Sequence, residues 1–312
     1  MILFSYFISA LGDVAPLLRR FSLVLGLLIV QSAFASSTFA TGTPERGRLV
    51  ANAAGCVSCH TDYEKQGAAY AGGRVMKTPF GTIYAPNITP DKETGIGTWT
   101  DAQFVRALRE GVNEHGGHLF PVFPFTSYTR MTEADMLDLK AFLFTQAAVA
   151  QRRPRTDMPF PIRWRPLQFG WKLLFFKEGE EKPDPAQSAE WNRGAYLTRA
   201  LAHCAECHSP RNRLGALQED KGMIGTPDGP DGALVPNITP DKTTGIGEWS
   251  IDDLVTLLQT GMKPDFDNVQ GTMAELIDHG LKDLPAADLR AIAVYVLAQP
   301  PVENRVRRRP VE

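Results

Sequence analysis

Two short runs carry the residues best suited to chemistry: Cys56-Val57-Ser58-Cys59-His60 and Cys204-Ala205-Glu206-Cys207-His208. Between them they use every cysteine of the chain. Two thiols three positions apart, followed at once by an imidazole, form the pattern that attaches a c-type haem. On a short helix both sulfurs lie along one porphyrin edge, where each forms a thioether to a vinyl group, and the imidazole sits beneath the iron. The chain's cysteine and histidine frequencies give one chance match in roughly a thousand such sequences. Two matches are not chance. Cys56, Cys59, Cys204 and Cys207 are therefore read as attachment residues and His60 and His208 as proximal ligands of two covalently bound c-type haems. A redox dithiol needs no following histidine. A four-cysteine zinc site would have to gather pairs that lie 148 residues apart.

A second iron ligand must come from a distant segment. Methionine is the usual choice in electron-transfer haems, because its soft sulfur favours ferrous iron. Met273 lies 65 residues past His208 and is read as a turn residue ahead of the closing helix. It is the first candidate for the second haem, with Met262 and Met223 as rivals, while His279 is read as structural. The matching stretch of the first half is GGHLFPVFPFTSYTRMT (116–132), which has Phe123 at the corresponding place. A phenyl ring cannot bind iron. His118, in a glycine-rich loop, is the first candidate there and Met131 the second, with His115 and an open iron as the remaining options.

These residues sit on a doubled framework. APNITPDKETGIGTWTDAQFVRALREGV (85–112) returns as VPNITPDKTTGIGEWSIDDLVTLLQTGM (235–262), and RGRLVANAAGC (46–56) pairs with RGAYLTRALAHC (193–204). Tandem copies of one unit explain both matches. Each copy reads as a helix bearing the haem motif, a turn-rich segment, a capped helix and a closing helix. Thr100-x-x-Gln103 and Ser250-x-x-Asp253 resemble capping boxes. The closing helices are expected at 132–146, with Thr132 as cap, and at 285–299, with Pro285 in the first turn. The expectation is an all-α fold of two tandem helical domains, 41–150 and 191–302, each wrapped around a covalent haem that supplies much of its apolar core. PNITPD and GIG supply turn geometry around the haem edge. Asn87 and Asn237 are read as structural rather than as glycosylation acceptors.

The remaining segments bound the setting. An apolar run of ten (21–30) follows Arg19 and Arg20 and precedes small residues at Ala33 and Ala35, which predicts a signal peptide over 1–35 and a periplasmic protein. The net charge of −2 argues against nucleic acid. The basic tail, 303–312, is read as a solvated end. A Pro-rich and charged linker covers 151–190. Its apolar FGWKLLFF (169–176) is expected to pack across the two domains, with a docking patch for a partner or a membrane surface as the alternative.

GCVSCHT, AGG, PFGTIYAPNITPDKETGIG, HLFPVFPF, WKLLFF and HCAECHSPRN together resemble the multi-haem cytochrome c subunits of periplasmic, membrane-associated dehydrogenases of alcohols, gluconate, sorbitol and aldehydes. The resemblance runs over roughly residues 44–302. It implies cytochrome c-like domains and an electron-transfer subunit rather than an enzyme. Such a subunit takes electrons from a periplasmic dehydrogenase catalytic subunit and passes them to a membrane quinone, a cytochrome or a terminal oxidase, in association with the inner membrane. This sequence departs from the family in two places. Many relatives carry three haems, whereas this chain has two motifs. Many also have Pro-Ala-Met-Pro where Pro121-Val122-Phe123-Pro124 stands here, and that methionine is their axial ligand. The loss motivates an alternative, a dihaem peroxidase using an open first haem, although the NITPD…GIG repeat is not a peroxidase feature.

Overall fold

The computed structural model describes residues 42–308. The expected signal segment and the last four residues of the tail lie outside the described residues. In the first copy, α1 (Pro44–Ala53) starts with proline in its first turn, where a missing N–H costs nothing. Gly55, left-handed at φ 60°, turns the chain into α2 (Cys56–Cys59). A hairpin of β1 (Val75–Thr78) and β2 (Gly81–Tyr84) follows, with Val75 opposite Tyr84. Next come α3 (Asp101–Glu110), α4 (Phe125–Tyr128) and α5 (Glu133–Leu143). The linker contributes α6 (Arg165–Phe175). The second copy holds α7 (Ala189–Tyr196), which runs into a π-helical stretch over Leu197–Leu201, then α8 (Ala205–His208), α9 (Ile251–Thr260), α10 (Gly271–Asp278) and α11 (Ala286–Leu297).

Both expected capping boxes are present, Thr100 with Gln103 and Ser250 with Asp253, each worth about 1 kcal/mol to its helix. Thr132 caps α5, and Pro285 stands one place outside α11, at its N-cap, rather than within the first turn. The all-α expectation needs correcting at one point. VMKTPFGTIY forms a two-stranded antiparallel hairpin, because Gly81 takes φ 127° and the Thr78 hydroxyl donates to the Gly81 carbonyl at 2.8 Å.

The first and last helices of each copy cross where a glycine admits close approach. A Cβ on Gly47 would lie 1.9 Å from the Asp138 carbonyl oxygen of α5. One on Gly194 would lie 1.9 Å from that of Ala291 in α11. The two crossings are the same feature in two copies. A single apolar core runs through both halves of the described chain, from Met136 and Leu143 in the first to Leu197, Leu201, Ile277 and Leu289 in the second.

Candidate haem sites

In both copies the sequence delivers the proximal histidine in one tautomer. His60 Nδ1 lies 2.7 Å from the Pro86 carbonyl oxygen, and His208 Nδ1 lies 2.9 Å from that of Pro236. A carbonyl only accepts, so Nδ1 carries the proton and Nε2 keeps its lone pair for a metal. Burial depresses the basicity of both imidazoles and the carbonyl contact opposes it in part, which keeps them in the neutral, ligating form. The PNITP segments thus orient the proximal ligands from behind. Asn87, buried, accepts from Thr89 N and Oγ1 (2.9 and 2.7 Å) and donates to Thr94 Oγ1 and the Val149 carbonyl. Asn237 repeats this with Thr239, Thr244 and the Val302 carbonyl. Each asparagine ties the proline carbonyl's segment to the chain leaving the closing helix. Gly72 and Gly225 complete the frame, each donating its N–H at 2.7 Å to the carbonyl of the proximal histidine.

None of the four cysteines is in a disulfide. Each copy therefore offers two unpaired thiols three residues apart beside an imidazole of fixed tautomer, and this donor set fits a c-type haem.

The copies part on the other side of the pocket. Met273 and Phe123 are matched in position, and both are half-buried against the shared core. Met273 belongs to α10 itself, not to a turn before the closing helix as expected. Phe123 precedes Pro124, whose ring disfavours helix at the residue before it, so α4 starts later and is shorter. The Phe123 ring lies 5.5 Å from that of Tyr128, whose hydroxyl donates to the Ala54 carbonyl just ahead of the first motif.

The expected stand-ins for the missing methionine are placed elsewhere. His118 pairs with Val112 in a β-bridge that matches the bridge between Met262 and Asn268, so its counterpart is Asn268 and not Met273. Its Nδ1 lies 3.0 Å from Lys172 Nζ and its ring packs on Phe169, both in α6. Met131 is fully buried, and its counterpart, one place ahead of the closing helix's cap, is the buried Leu284, so the position is apolar filling in both copies. The His115 side chain is 83% exposed beside Glu114. Phe123 alone stands where Met273 does. Among Met273's rivals, Met223 matches Tyr70, since both accept the N–H of the isoleucine in the NIT turn, and Met262 is exposed. His279 stacks on Tyr63 at 4.4 Å, a structural role as expected.

Each motif helix reaches across to the other half. Ser58 Oγ donates to the Glu275 carbonyl of α10 at 3.4 Å, and Arg74 joins the Ser58 carbonyl to the Glu275 carboxylate. Reciprocally, Glu206 Oε1 accepts from Thr126 and Ser127 of α4 at 2.8 and 3.0 Å while Glu206 pairs with Arg211. Ser58 and Glu206 hold the same place in their motifs, so each attachment helix packs on the distal helix of the other copy. The Cys207 thiol is pushed up to about 12 by burial first and Glu206 next, with Cys59 of the other copy a smaller contributor. Sequence reading missed Pro86 and Pro236 as orienting groups. Their signal was available, since each proline follows its histidine at nearly the same interval, 26 and 28 residues. The Ser58 and Glu206 contacts leave no such trace.

Comparison with known proteins agrees with this geometry. The cytochrome c family model matches residues 44–147. The chain is 39% identical to a diheme c-type cytochrome of Cereibacter sphaeroides, over 84% of this chain and 88% of that protein. It is 45% identical to a nicotinate dehydrogenase subunit of Pseudomonas putida, over 81% of this chain but only 21% of the relative. It is 42% identical to the fructose dehydrogenase cytochrome subunit of Gluconobacter japonicus, over 82% of this chain and 52% of that relative. The chain thus spans about half or less of these dehydrogenase subunits and most of the diheme protein. The paired thiols, the proximal histidines held by proline carbonyls and these relatives place the chain in the cytochrome c family, whose members carry covalent c-type haem.

Proposed function

We propose that this protein is a periplasmic dihaem electron carrier that takes electrons from a dehydrogenase catalytic subunit and delivers them to a respiratory acceptor, a quinone, a cytochrome or an oxidase. A c-type haem supplies a one-electron ferrous/ferric couple when bound. Cys56 and Cys59 would hold one and Cys204 and Cys207 the other. His60 and His208 would present Nε2 to the metal, since the Pro86 and Pro236 carbonyls occupy Nδ1. Met273 is assigned as the second ligand in copy two.

The observation that carries the reading is the reciprocal packing of the two attachment helices through Ser58, Glu275, Glu206, Thr126 and Ser127. That arrangement suits transfer between haems better than independent action. The names of the relatives, a diheme cytochrome and subunits of nicotinate and fructose dehydrogenases, support the partner class and add nothing to the peroxidase alternative. The test is haem content and turnover. Purified protein should carry two haems per chain, be reduced by a co-purifying dehydrogenase, and be reoxidised by inner membranes. One haem per chain, or no reduction by that partner, overturns the reading.

A further inference from the structure

The linker helix α6 is turned inside out. Its polar residues Gln168 and Lys172 are 6% and 7% exposed, whereas Leu173 and Leu174 are 71% and 72% exposed. The rotation is fixed by polar anchors on the inner face. Lys172 Nζ donates to the Glu110 and Gly111 carbonyls at the end of α3 and stands 4.8 Å over the Phe125 ring. Arg165 donates to the His118 carbonyl at 2.8 Å and lies over the Phe120 ring. Trp171 Nε1 donates to the Leu214 carbonyl of the second copy at 2.9 Å. Turning α6 to hide its leucines would break contacts to both halves. The apolar face is therefore held outward by the fold, and Phe160, Trp164, Leu167 and Phe169 extend it. Contiguous exposed apolar surface of this kind marks an interaction site.

The surrounding charge says what covers it. Residues 152–177 contain seven basic side chains and one acidic, a net +6, in a chain whose total is −2. Arg152, Arg153, Arg155, Arg163 and Lys177 of this stretch are exposed beside the apolar residues. We propose that this face of α6 docks on an anionic phospholipid surface. Its leucine and aromatic side chains enter the headgroup boundary, and the flanking arginines meet lipid phosphates. Trp164, at the helix start, suits that boundary. With eleven residues α6 is too short to cross a bilayer, and no helix among the described residues is long and apolar enough to do so. The helix would lie in the plane of the surface. This docking does not depend on which dehydrogenase reduces the haems, and its failure would leave the electron-carrier reading standing.

Flotation of the full-length haem-loaded protein tests it, with vesicles of phosphatidylcholine alone and with phosphatidylglycerol added. The protein should float with the anionic vesicles, about tenfold better than with neutral ones. The double variant Leu173→Glu, Leu174→Glu should lose about tenfold or more of that binding with its haem spectrum unchanged. The triple variant Arg152→Gln, Arg153→Gln, Arg155→Gln should lose the preference for anionic lipid. Equal flotation of wild type and the leucine variant would overturn the proposal, because another part of the chain would then carry the binding. So would absence of vesicle binding, and if the leucine variant then lost affinity for the dehydrogenase, the face would be assigned to that protein.

Discussion

The two copies share the hydrogen bonds that orient the proximal histidine, although only the first has the hairpin and only the second the π-helical stretch, and they differ on the distal side. Histidine, proline carbonyl, buried asparagine and helix-crossing glycine recur in both. What differs is Phe123 against Met273, a short α4 against a longer α10, and a lysine from the linker on the end of α3 with no counterpart on α9 among the described residues. Attachment chemistry tolerates little variation, because the imidazole must point one way. The distal ligand can change without loss of the fold, and with it the potential of the metal. The duplication thus gives two similar cradles with different residues, Phe123 and Met273, at the matched distal position.

The comparison breaks most visibly at Met273. Met273→Ala should convert the second haem from low to high spin and lower its potential by on the order of 100 mV; an unchanged optical and paramagnetic spectrum would remove the methionine from the ligand set. The reciprocal change, Phe123→Met, places a thioether at the matched position. Ferric spectra should then show more low-spin haem, with potentials of the two centres moving together; failure would mean that the shorter α4 holds residue 123 out of reach. Gly47→Ala and Gly194→Ala test the shared side, and each should cost about 1–3 kcal/mol in denaturant unfolding, since a carbonyl stands 1.9 Å from the new Cβ. Unequal losses would show that the two crossings are not equivalent.

A pH effect separates the copies more gently. Burial lowers the Lys172 ammonium from 10.5 to about 8. A base depressed on folding binds fewer protons in the native state, so stability rises between about pH 8 and 10 as the unfolded chain alone stays protonated. Lys172→Met should flatten that rise, read as the denaturation midpoint against pH. The smallest expected effect is at His118. His118→Ala should leave the haem spectra unchanged, because its ring is engaged by Lys172 and Phe169. Conversion of one haem to high spin would restore it as a ligand.

The paired thiols and their histidines were legible as a donor set because haem attachment would fix both type and spacing. The caps were legible because Thr100 and Ser250 act on a backbone three residues away. The surroundings of His118 were not legible: proximity in sequence to the distal loop says nothing of which way a side chain turns, and its Nδ1 meets Lys172, 54 residues on. The hairpin escaped because its strands are four residues each and lack clean alternation. The linker's apolar run was visible as composition. Which of its faces meets solvent depends on the Glu110 and Gly111 carbonyls, and no periodicity in the run encodes them.

The reciprocal clasp between halves also governs how the chain reaches its final state. Ser58 meets Glu275 across 217 residues and Arg74 meets it across 201. Such contacts close late, since loop entropy is spent before they return anything. A ribosome that had made only the first copy would have produced a haem-attachment helix with one wall missing, and a chain stopped after the linker would stay in that condition. Each cradle is therefore expected to lack a wall without the other copy, and truncating either is expected to yield an aggregation-prone half rather than a smaller carrier.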